Sequence, residues 1–388
     1  MRILLLPNTY VPVLGGVQTV THNLAQHLLS SGHQVQVVTN RYPRSFATHE
    51  TLDGVSIYRL LLLSPDTNSL HRRRPDLFLA SLYFYPHSLW RLRKLMRSFH
   101  PDVVNVHFPD HQIRFVLALR RRFEFRLVVS LHGHDVERVQ DWNTSNHSAT
   151  ARRLQLILRE ADAVTACSQH LLNQAVQIEP SIANKGQVIH NGIDPKRFVD
   201  KTSHVHPRPY AFAFGRLTHK KGFDMLLEAF AQAKSAGQEI DLLIAGEGEE
   251  HNALELHAQR LGLRSRVHFL GRATQAEVVR LLNGSLFVVV PSRCEPFGIV
   301  ALEALAANKP VLATKVGGLA ELLSEFSDGT VVTLVDPNVE KLATGLRQMF
   351  ELPRNHSREE RDCRISDKYS WEHVTQRYEK VLVERCQS

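Results

Sequence analysis

The chain has 388 residues, 43% hydrophobic and 22% charged, a globular mixture that excludes a disordered, collagen-like or coiled-coil protein and suggests two to three domains. Its formal net charge of +8 is lopsided: residues 1–200 hold 23 Lys+Arg against 15 Asp+Glu, while residues 201–388 hold 24 of each, so an anionic partner of the N-terminal half is expected. No apolar run approaches the roughly 20 residues of a membrane span, residues 3–6 before Pro7 are too short for a secretion signal, and the scattered Cys167, Cys294, Cys363 and Cys386 fit a reducing cytoplasm better than a disulfide framework or zinc knuckle.

Short β-branched or aliphatic runs alternate with helical stretches along the chain. Strands are predicted over residues 3–6, 35–39, 55–60, 103–106, 127–131, 163–166 and 187–189, then 210–214, 241–245, 267–270, 286–290, 311–314 and 331–334. Apolar positions at helical spacing lie between most of them, for example over 17–31, 222–236, 274–283 and 299–307. Such alternation predicts parallel sheets with helices on both faces. It breaks at 200–209 (DKTSHVHPRP), a polar stretch with two prolines that reads as a linker. Two doubly wound domains follow, 1–198 and a second beginning at 210, on either side of a linker at 199–209.

In such sheets ligands bind off the carboxyl ends of the strands. The unusual clusters fall there: Gly15-Gly16 after the first strand, His132 after 127–131, Gly215-Arg216 and Lys220-Lys221-Gly222 after 210–214, Gly246-x-Gly248 after 241–245, and Glu295-Pro296-Phe297-Gly298 after 286–290. Their common edge points to one cleft lined from two domains. Arg216 and Lys221 on a tight loop before a helix suit a diphosphate, or are ordinary surface charges. Gly298 opens a helix whose first N–H groups, at Phe297, Gly298 and Ile299, would face an anion. Glu295 and Glu303 would take sugar and ribose hydroxyls, or serve as a cap and a buried helix carboxylate. His132-Gly133-His134-Asp135 lacks the second cluster a metal site needs, so no metal is expected there. Gly246-Glu247-Gly248 misses the third glycine of a dinucleotide fingerprint and reads as a tight turn. Residues 77–100 (LFLASLYFYPHSLWRLRKLMRSFH) mix aromatics with Arg91, Arg93, Lys94 and Arg97. They read either as a packed surface helix or as one lying on an anionic membrane, with Arg72-Arg73-Arg74 and Arg120-Arg121-Arg122 adding charge.

In this order, the clusters resemble glycosyltransferase family 4, the retaining nucleotide-sugar transferases of the GT-B fold. Gly15-Gly16 with Gly32-His33-Gln34-Val35, His132, Asn191-Gly192-Ile193-Asp194 with Phe198, Gly215-Arg216-Leu217, Lys221-Gly222, and Pro291-Ser292 through Glu295-Pro296-Phe297-Gly298 to Glu303-Ala304 carry the resemblance over nearly the whole chain. Pro310-Val311, Gly317-Gly318 and Glu321 complete it. Asn308 stands where a glycine is usual; asparagine tolerates the left-handed backbone that ends a helix. The resemblance implies two Rossmann-like domains facing across a cleft. The N-terminal one would bind acceptor, and the C-terminal one (210–368) would bind donor. A final helix from Tyr369-Ser370-Trp371 (369–388) would cross back to the first domain.

The resemblance further implies a hexosyltransferase that needs neither metal nor cofactor. Catalysis would rest on His132, Glu295, Arg216 and Lys221, with the donor also held by Gly15, Gly16, Phe297, Gly298, Ile299 and Glu303. Cations and helix N–H groups would stabilise the leaving diphosphate, and closure about the linker would exclude water. Expected partners are a nucleotide-sugar donor and a glycan or lipid-linked acceptor of surface polysaccharide, lipopolysaccharide or glycolipid synthesis. The expected location is cytoplasmic, peripheral on the inner membrane face. A nucleotide-sugar epimerase or phosphorylase of the same architecture is the first alternative. A basic nucleic-acid binder is the second, but no nucleic-acid motif supports it.

Overall fold

The computed structural model describes residues 1–13, 15–65, 75–140, 147–198, 202–233, 239–326, 331–352, 365 and 367–384. Arg72, Arg73, Arg74, Cys363 and Cys386 lie outside these residues; Cys167 and Cys294 are not disulfide-bonded. The chain divides into two compact units, Met1–Asn191 with Trp371–Ser388, and Gly192–Ser370.

The first unit runs β1 (Arg2–Pro7), α1 (Gly16–Ser30), β2 (Gln34–Asn40), β3 (His49–Leu52), β4 (Val55–Leu60), α2 (Pro75–Phe99), β5 (Val103–His107) and α3 (Ile113–Arg120). It continues through β6 (Arg126–Leu131), α4 (His134–Gln140), α5 (His147–Glu160), β7 (Ala163–Ala166), α6 (Gln169–Ile178) and β8 (Gly186–Val188). The second unit contains β9 (Tyr210–Phe214), α7 (Phe223–Ala233), β10 (Asp241–Ala245), α8 (His251–Arg260), β11 (Val267–Gly271) and α9 (Gln275–Gly284). It ends with β12 (Phe287–Val290), α10 (Ile299–Ala306), β13 (Val311–Thr314), α11 (Gly317–Ser324), β14 (Val332–Val335) and α12 (Val339–Glu351), after which α13 (Trp371–Val383) rejoins the first unit.

Among the described residues the first sheet is eight-stranded, in the order β3-β4-β2-β1-β5-β6-β7-β8, and parallel except at β3. That antiparallel edge strand is absent from the sequence prediction. It is made by Asp53-Gly54, both at positive φ (49° and 80°), between the paired Leu52 and Val55. Two consecutive positive-φ residues are what a two-residue hairpin requires. Arg59 on β4 is almost wholly buried and holds the edge together: Nη1 lies 2.6 Å from Glu50 on β3, and Nη2 donates to the Val11 carbonyl at 2.7 Å.

The second sheet is parallel throughout, in the order β11-β10-β9-β12-β13-β14. One of its faces, carrying Ala211, Ala213, Leu242 and Ile244, packs on α7, α8 and α12 through Phe223, Leu226, Phe230, Leu254, Leu342 and Leu346. In both sheets the strand order reverses beside the strand that opens the unit, between β1 and β5 and between β9 and β12. These are the switch points at which α/β sheets open a crevice.

The final helix packs on the first unit as the resemblance implied. Trp371, Val374, Tyr378, Val381 and Leu382 are buried, His33 bonds Glu379 at 3.1 Å, and Arg126 Nε donates to the Val381 carbonyl at 3.0 Å. The two passages between units lie side by side, for Ile193 bridges Ser370 and its N–H donates to the Tyr369 carbonyl at 2.7 Å. The described part of the expected linker, residues 202–209, is tied to the second unit: the His204 N–H donates to the Arg280 carbonyl at 2.9 Å and Asn283 to that of Thr202 at 3.3 Å. The chain therefore changes units at 191/192, upstream of the polar stretch whose composition suggested a linker.

Gly246-x-Gly248 forms the tight turn expected after this core strand, and it is a packing device. Gly246 sits at φ 146°, and a Cβ there would stand 1.8 Å from the Gly215 carbonyl oxygen. Gly246→Ala should cost about 2 kcal/mol, read as a lower urea midpoint at unchanged slope. A midpoint within error of the parent would show that the loop after β9 yields freely.

Candidate functional site

In the second unit, the loops after β9 and β12 are adjacent at the switch point. Gly222 ends a short 3-10 turn (His219–Lys221) at φ 66°, and a Cβ there would meet the Pro291 carbonyl oxygen at 2.1 Å, so only glycine lets the two loops close on each other. Arg293, which the sequence reading passed over, ties them: its two Nη atoms each reach an Asp224 oxygen at 2.6 Å, and Nη1 also donates to the His219 carbonyl at 2.9 Å. Hydrogen bonding to Asp224 is the main cause that raises the guanidinium's pKa above its ordinary value.

This arrangement brings Lys221 and Glu295 together in a direct ion pair, which Ser292 Oγ joins at 3.3 Å from Oε2. The Glu295 backbone carbonyl accepts the Gly318 N–H at 3.0 Å, so the first turn of α11 positions it. Arg216 on the same loop is exposed, with no ion pair among the described residues. Gly298, at φ 102°, is the N-cap of α10 and brings no side-chain cap, so the helix presents the N–H groups of its first turn at this edge. Phe297 differs from the others: its ring is buried and lies 6.2 Å from Tyr369, leaving only its backbone for a ligand. Ile299 begins the helix, and Glu303 lies one turn on. Burial pushes the Glu303 carboxyl up to about 7, against the opposing pull of Arg197. Asn308 takes the left-handed backbone (φ 59°) in the place of a glycine.

In the first unit, Gly15 is the N-cap of α1 and Gly16 its first residue. His132 follows β6. Asp135, fully buried, accepts the N–H groups of His132 (3.0 Å), Gly133 (2.7 Å) and Val136 (3.2 Å) and fixes the turn. His134 is exposed beside Glu137, whereas His132 Nε2 lies 3.0 Å from Nδ1 of His107. The sequence reading missed His107. Its signal was a second histidine at a strand end, on β5 next to β6.

His107 is fully buried, and its Nε2 has no hydrogen-bond partner. An orphan lone pair costs less than an orphan N–H. The His107 proton therefore sits on Nδ1 and is donated to His132 Nε2, which leaves His132 carrying its own proton on Nδ1. Burial lowers both histidines, His132 to about 4 and His107 well below its ordinary value, the latter with help from His132.

The helix α2 that carries the aromatic and basic stretch has two faces. Leu89, Leu92, Leu95, Met96 and Phe99 are buried, whereas Leu79, Leu82, Tyr83 and Trp90 are exposed, with Lys94 Nζ 6.0 Å from the Trp90 ring. Lys94 and Arg97 are exposed and Arg91 is half-buried. Arg93 is half-buried like Arg91, with its Nε enclosed in the protein. Arg120, expected to add to the basic patch, is instead paired with Asp162, which it grips at 2.7 and 2.9 Å. Among the described residues no helix is long and apolar enough to cross a membrane.

The chain is similar to known proteins over most of its length. Residues 14–197 match the model of Glycosyltransferase Family 4, and residues 195–365 that of Glycosyl transferases group 1. The chain is 28% identical over 394 residues to a glycosyltransferase of Methanocaldococcus jannaschii, covering 96% of each. It is 29% identical over 389 residues to a glycogen synthase of Mycobacterium tuberculosis, covering 96% of this chain and 92% of the other. Its fold is similar to that of a sucrose-phosphate synthase from Thermosynechococcus elongatus (TM-score 0.77, 20% identity, 98% of each chain). It is also similar to Anabaena HepE in complex with UDP and glucose (TM-score 0.69, 20% identity, 98% and 99%). The two parallel-sheet domains are those of the GT-B glycosyltransferases. The chain belongs to glycosyltransferase family 4.

The neutral pair His107–His132 makes stability depend on pH in a defined direction. Unfolded histidines take up protons near 6.5 and the folded pair does not, so unfolding gains protons and stability falls as pH drops from 6.5 toward 4. The urea midpoint should fall between pH 7.5 and 5, and fall less in His107→Leu. An equal fall in both proteins would remove the pair as its source.

Proposed function

We propose that the chain is a retaining hexosyltransferase that moves a sugar from a nucleoside diphosphate donor to a hydroxyl of a glycan or lipid-linked acceptor. The observation that carries this reading is the Lys221–Glu295 ion pair between the loops after β9 and β12, at the switch point of the second sheet, with Arg216 on the first of these loops and the second leading into α10, which carries Glu303. The names of the relatives support it, since a glycogen synthase builds a glucan and HepE was crystallised with UDP and glucose.

In this reading the bond from anomeric carbon to phosphate oxygen breaks, and one from the anomeric carbon to the acceptor oxygen forms on the same face. The acceptor's proton passes to the departing phosphate oxygen. Negative charge grows on the diphosphate, where Arg216, Lys221 and the N–H groups at Gly298 and Ile299 stabilise it. These fixed cations serve the leaving group without a metal ion. The diphosphate takes over Lys221 from Glu295 and so frees that carboxylate for the hydroxyls of the sugar. Glu303, as the carboxylate, accepts the ribose hydroxyls. His132 offers its Nδ1 proton to the sugar, and Gly15-Gly16 admits donor and acceptor close to the backbone.

Thermal shift with UDP, GDP, ADP and dTDP, without metal, should single out one nucleotide. Arg216→Ala and Glu303→Ala should each weaken it roughly 10- to 100-fold. Affinity in the parent should also decline as pH falls below 7, because Glu303 then takes up a proton, whereas Glu303→Gln should be weak and flat with pH. Four equal responses, or a parent profile flat with pH, would defeat these assignments.

The acceptor side of the reading places α2 on an anionic membrane, at the inner face of a cytoplasmic membrane. Its exposed apolar residues would enter the interface, and Lys94 and Arg97 would meet head groups. The protein should pellet with anionic vesicles and not with neutral ones. The triple variant Trp90→Ser, Lys94→Glu, Arg97→Glu should lose this while keeping nucleotide binding. Pelleting that is equal on both vesicles, or absent from both, would end the idea.

A further inference from the structure

The amino edge of the second sheet, opposite to the loops just described, carries a cluster that nucleotide-sugar chemistry does not use. Asp241 opens β10, His268 is the second residue of β11, and His206 comes from the segment that leads into β9. Asp241 pairs across the sheet with Tyr210, and Leu243 pairs with His268, so Asp241 and His268 project from the same sheet face, opposite to Leu242 and Ile244. His206 Nε2 lies 2.8 Å and His268 Nε2 3.3 Å from the same carboxylate oxygen, Oδ2 of Asp241. One ligand atom from each of the three residues falls within 4.8 Å of the others.

We propose that His206, Asp241 and His268 bind a divalent transition metal ion of the zinc class, remote from the transfer site. Two imidazoles and one carboxylate form a borderline nitrogen–oxygen set suited to zinc. Bonds of 2.0–2.1 Å in tetrahedral geometry put ligand atoms about 3.3 Å apart, a separation that the His268 distance of 3.3 Å matches and that the His206 distance of 2.8 Å reaches with a small outward shift of the ring. Three protein ligands leave the fourth position to water.

The surroundings match this use. Arg266 Nε donates to Asp241 Oδ1 at 2.8 Å, which holds the carboxylate so that Oδ2 faces the imidazoles, the kind of outer contact that orients a metal ligand. Arg208 is shared between Glu239 (3.4 Å) and Asp241 (3.5 Å). Two guanidinium groups therefore stand against two carboxylates, and an entering cation meets no net positive charge. Asp241 is buried, while the His268 side chain is 37% exposed and opens the cluster to solvent. The ion would clip residues 202–209 to β10 and β11, immediately before the strand that organises the second unit.

Cobalt(II) titrated into the chelator-treated full-length protein should give a saturable visible d–d band, and zinc should raise the melting temperature. Both responses should vanish in His206→Gln and His268→Gln and persist in His204→Gln, an exposed neighbour. Histidine modification by diethylpyrocarbonate, mapped by mass spectrometry on the unaltered chain, provides a readout free of folding effects. Zinc should protect His206 and His268 and spare His204 no modification. An absent cobalt band, a band that survives in both variants, or equal modification with and without zinc would overturn the proposal and leave the cluster an ion-pair network.

Discussion

A parallel strand cannot hand its chain directly to its neighbour. The chain has to cross over, in these sheets through a helix except where β3 joins β2 to β4, so every parallel strand delivers its carboxyl end, and the loop that follows, to one edge. The chemistry of this protein depends on that constraint. Residues as far apart in sequence as Lys221 and Glu295 become an ion pair because β9 and β12 are neighbours running the same way and the strand order turns between them. Likewise β5 and β6, adjacent and parallel, set His107 against His132.

The two edges illustrate different ways of handling charge. In the second unit the groups at the switch point are ionic and partly solvated, and opposite charges are held close enough to exchange partners. In the first unit the histidine pair is neutral, with His107 fully buried and His132 half-buried. Behind it a polar ladder crosses three strands, with Thr165 Oγ1 2.8 Å from Ser130 Oγ and Ser130 Oγ 3.0 Å from Asn105 Oδ1; the Tyr378 hydroxyl of α13 bonds both Thr165 and Ser130. Buried polar groups are tolerated when satisfied by one another and costly otherwise. Tyr378 closes this ladder from α13, whereas Asn105 Nδ2 at its other end is buried without a hydrogen-bond partner.

What the sequence made legible was local. Strands and helices show as periodicity, and Arg216, Lys221, Glu295 and Glu303 stand out because loop glycines and a helix start lie beside them. What escaped depends on tertiary neighbours. His107 shows in the sequence only as a second histidine at a strand end, and that it faces His132 follows from the pairing of β5 with β6; nothing in Arg293 or Asp224 tells that they clamp two loops. Arg120 is as basic in sequence as Lys94 and Arg97; only packing decides that it pairs with Asp162 while they stay exposed. The β3 edge was readable, since Asp53-Gly54 is a strong hairpin signal, but His49–Leu52 is too polar to register as a strand. The 202–209 stretch misled for a related reason: polar, proline-bearing composition marks irregular backbone, which here is bonded to the sheet rather than hung between units.

The adjacency of Ile193 and Ser370 makes the second unit an insertion within the first, with its entrance and exit side by side. A ribosome therefore completes the two in reverse order of their starts. Residues 192–370 are contiguous and can close their core as soon as they have emerged, whereas the first unit, begun earlier, waits until Trp371 and the turns after it are made. During that interval the surface that α13 will cover, including the apolar side of α1, stands open in the nascent chain. The first-born half of this protein is thus the last to be finished and has the longest exposure to nascent-chain partners.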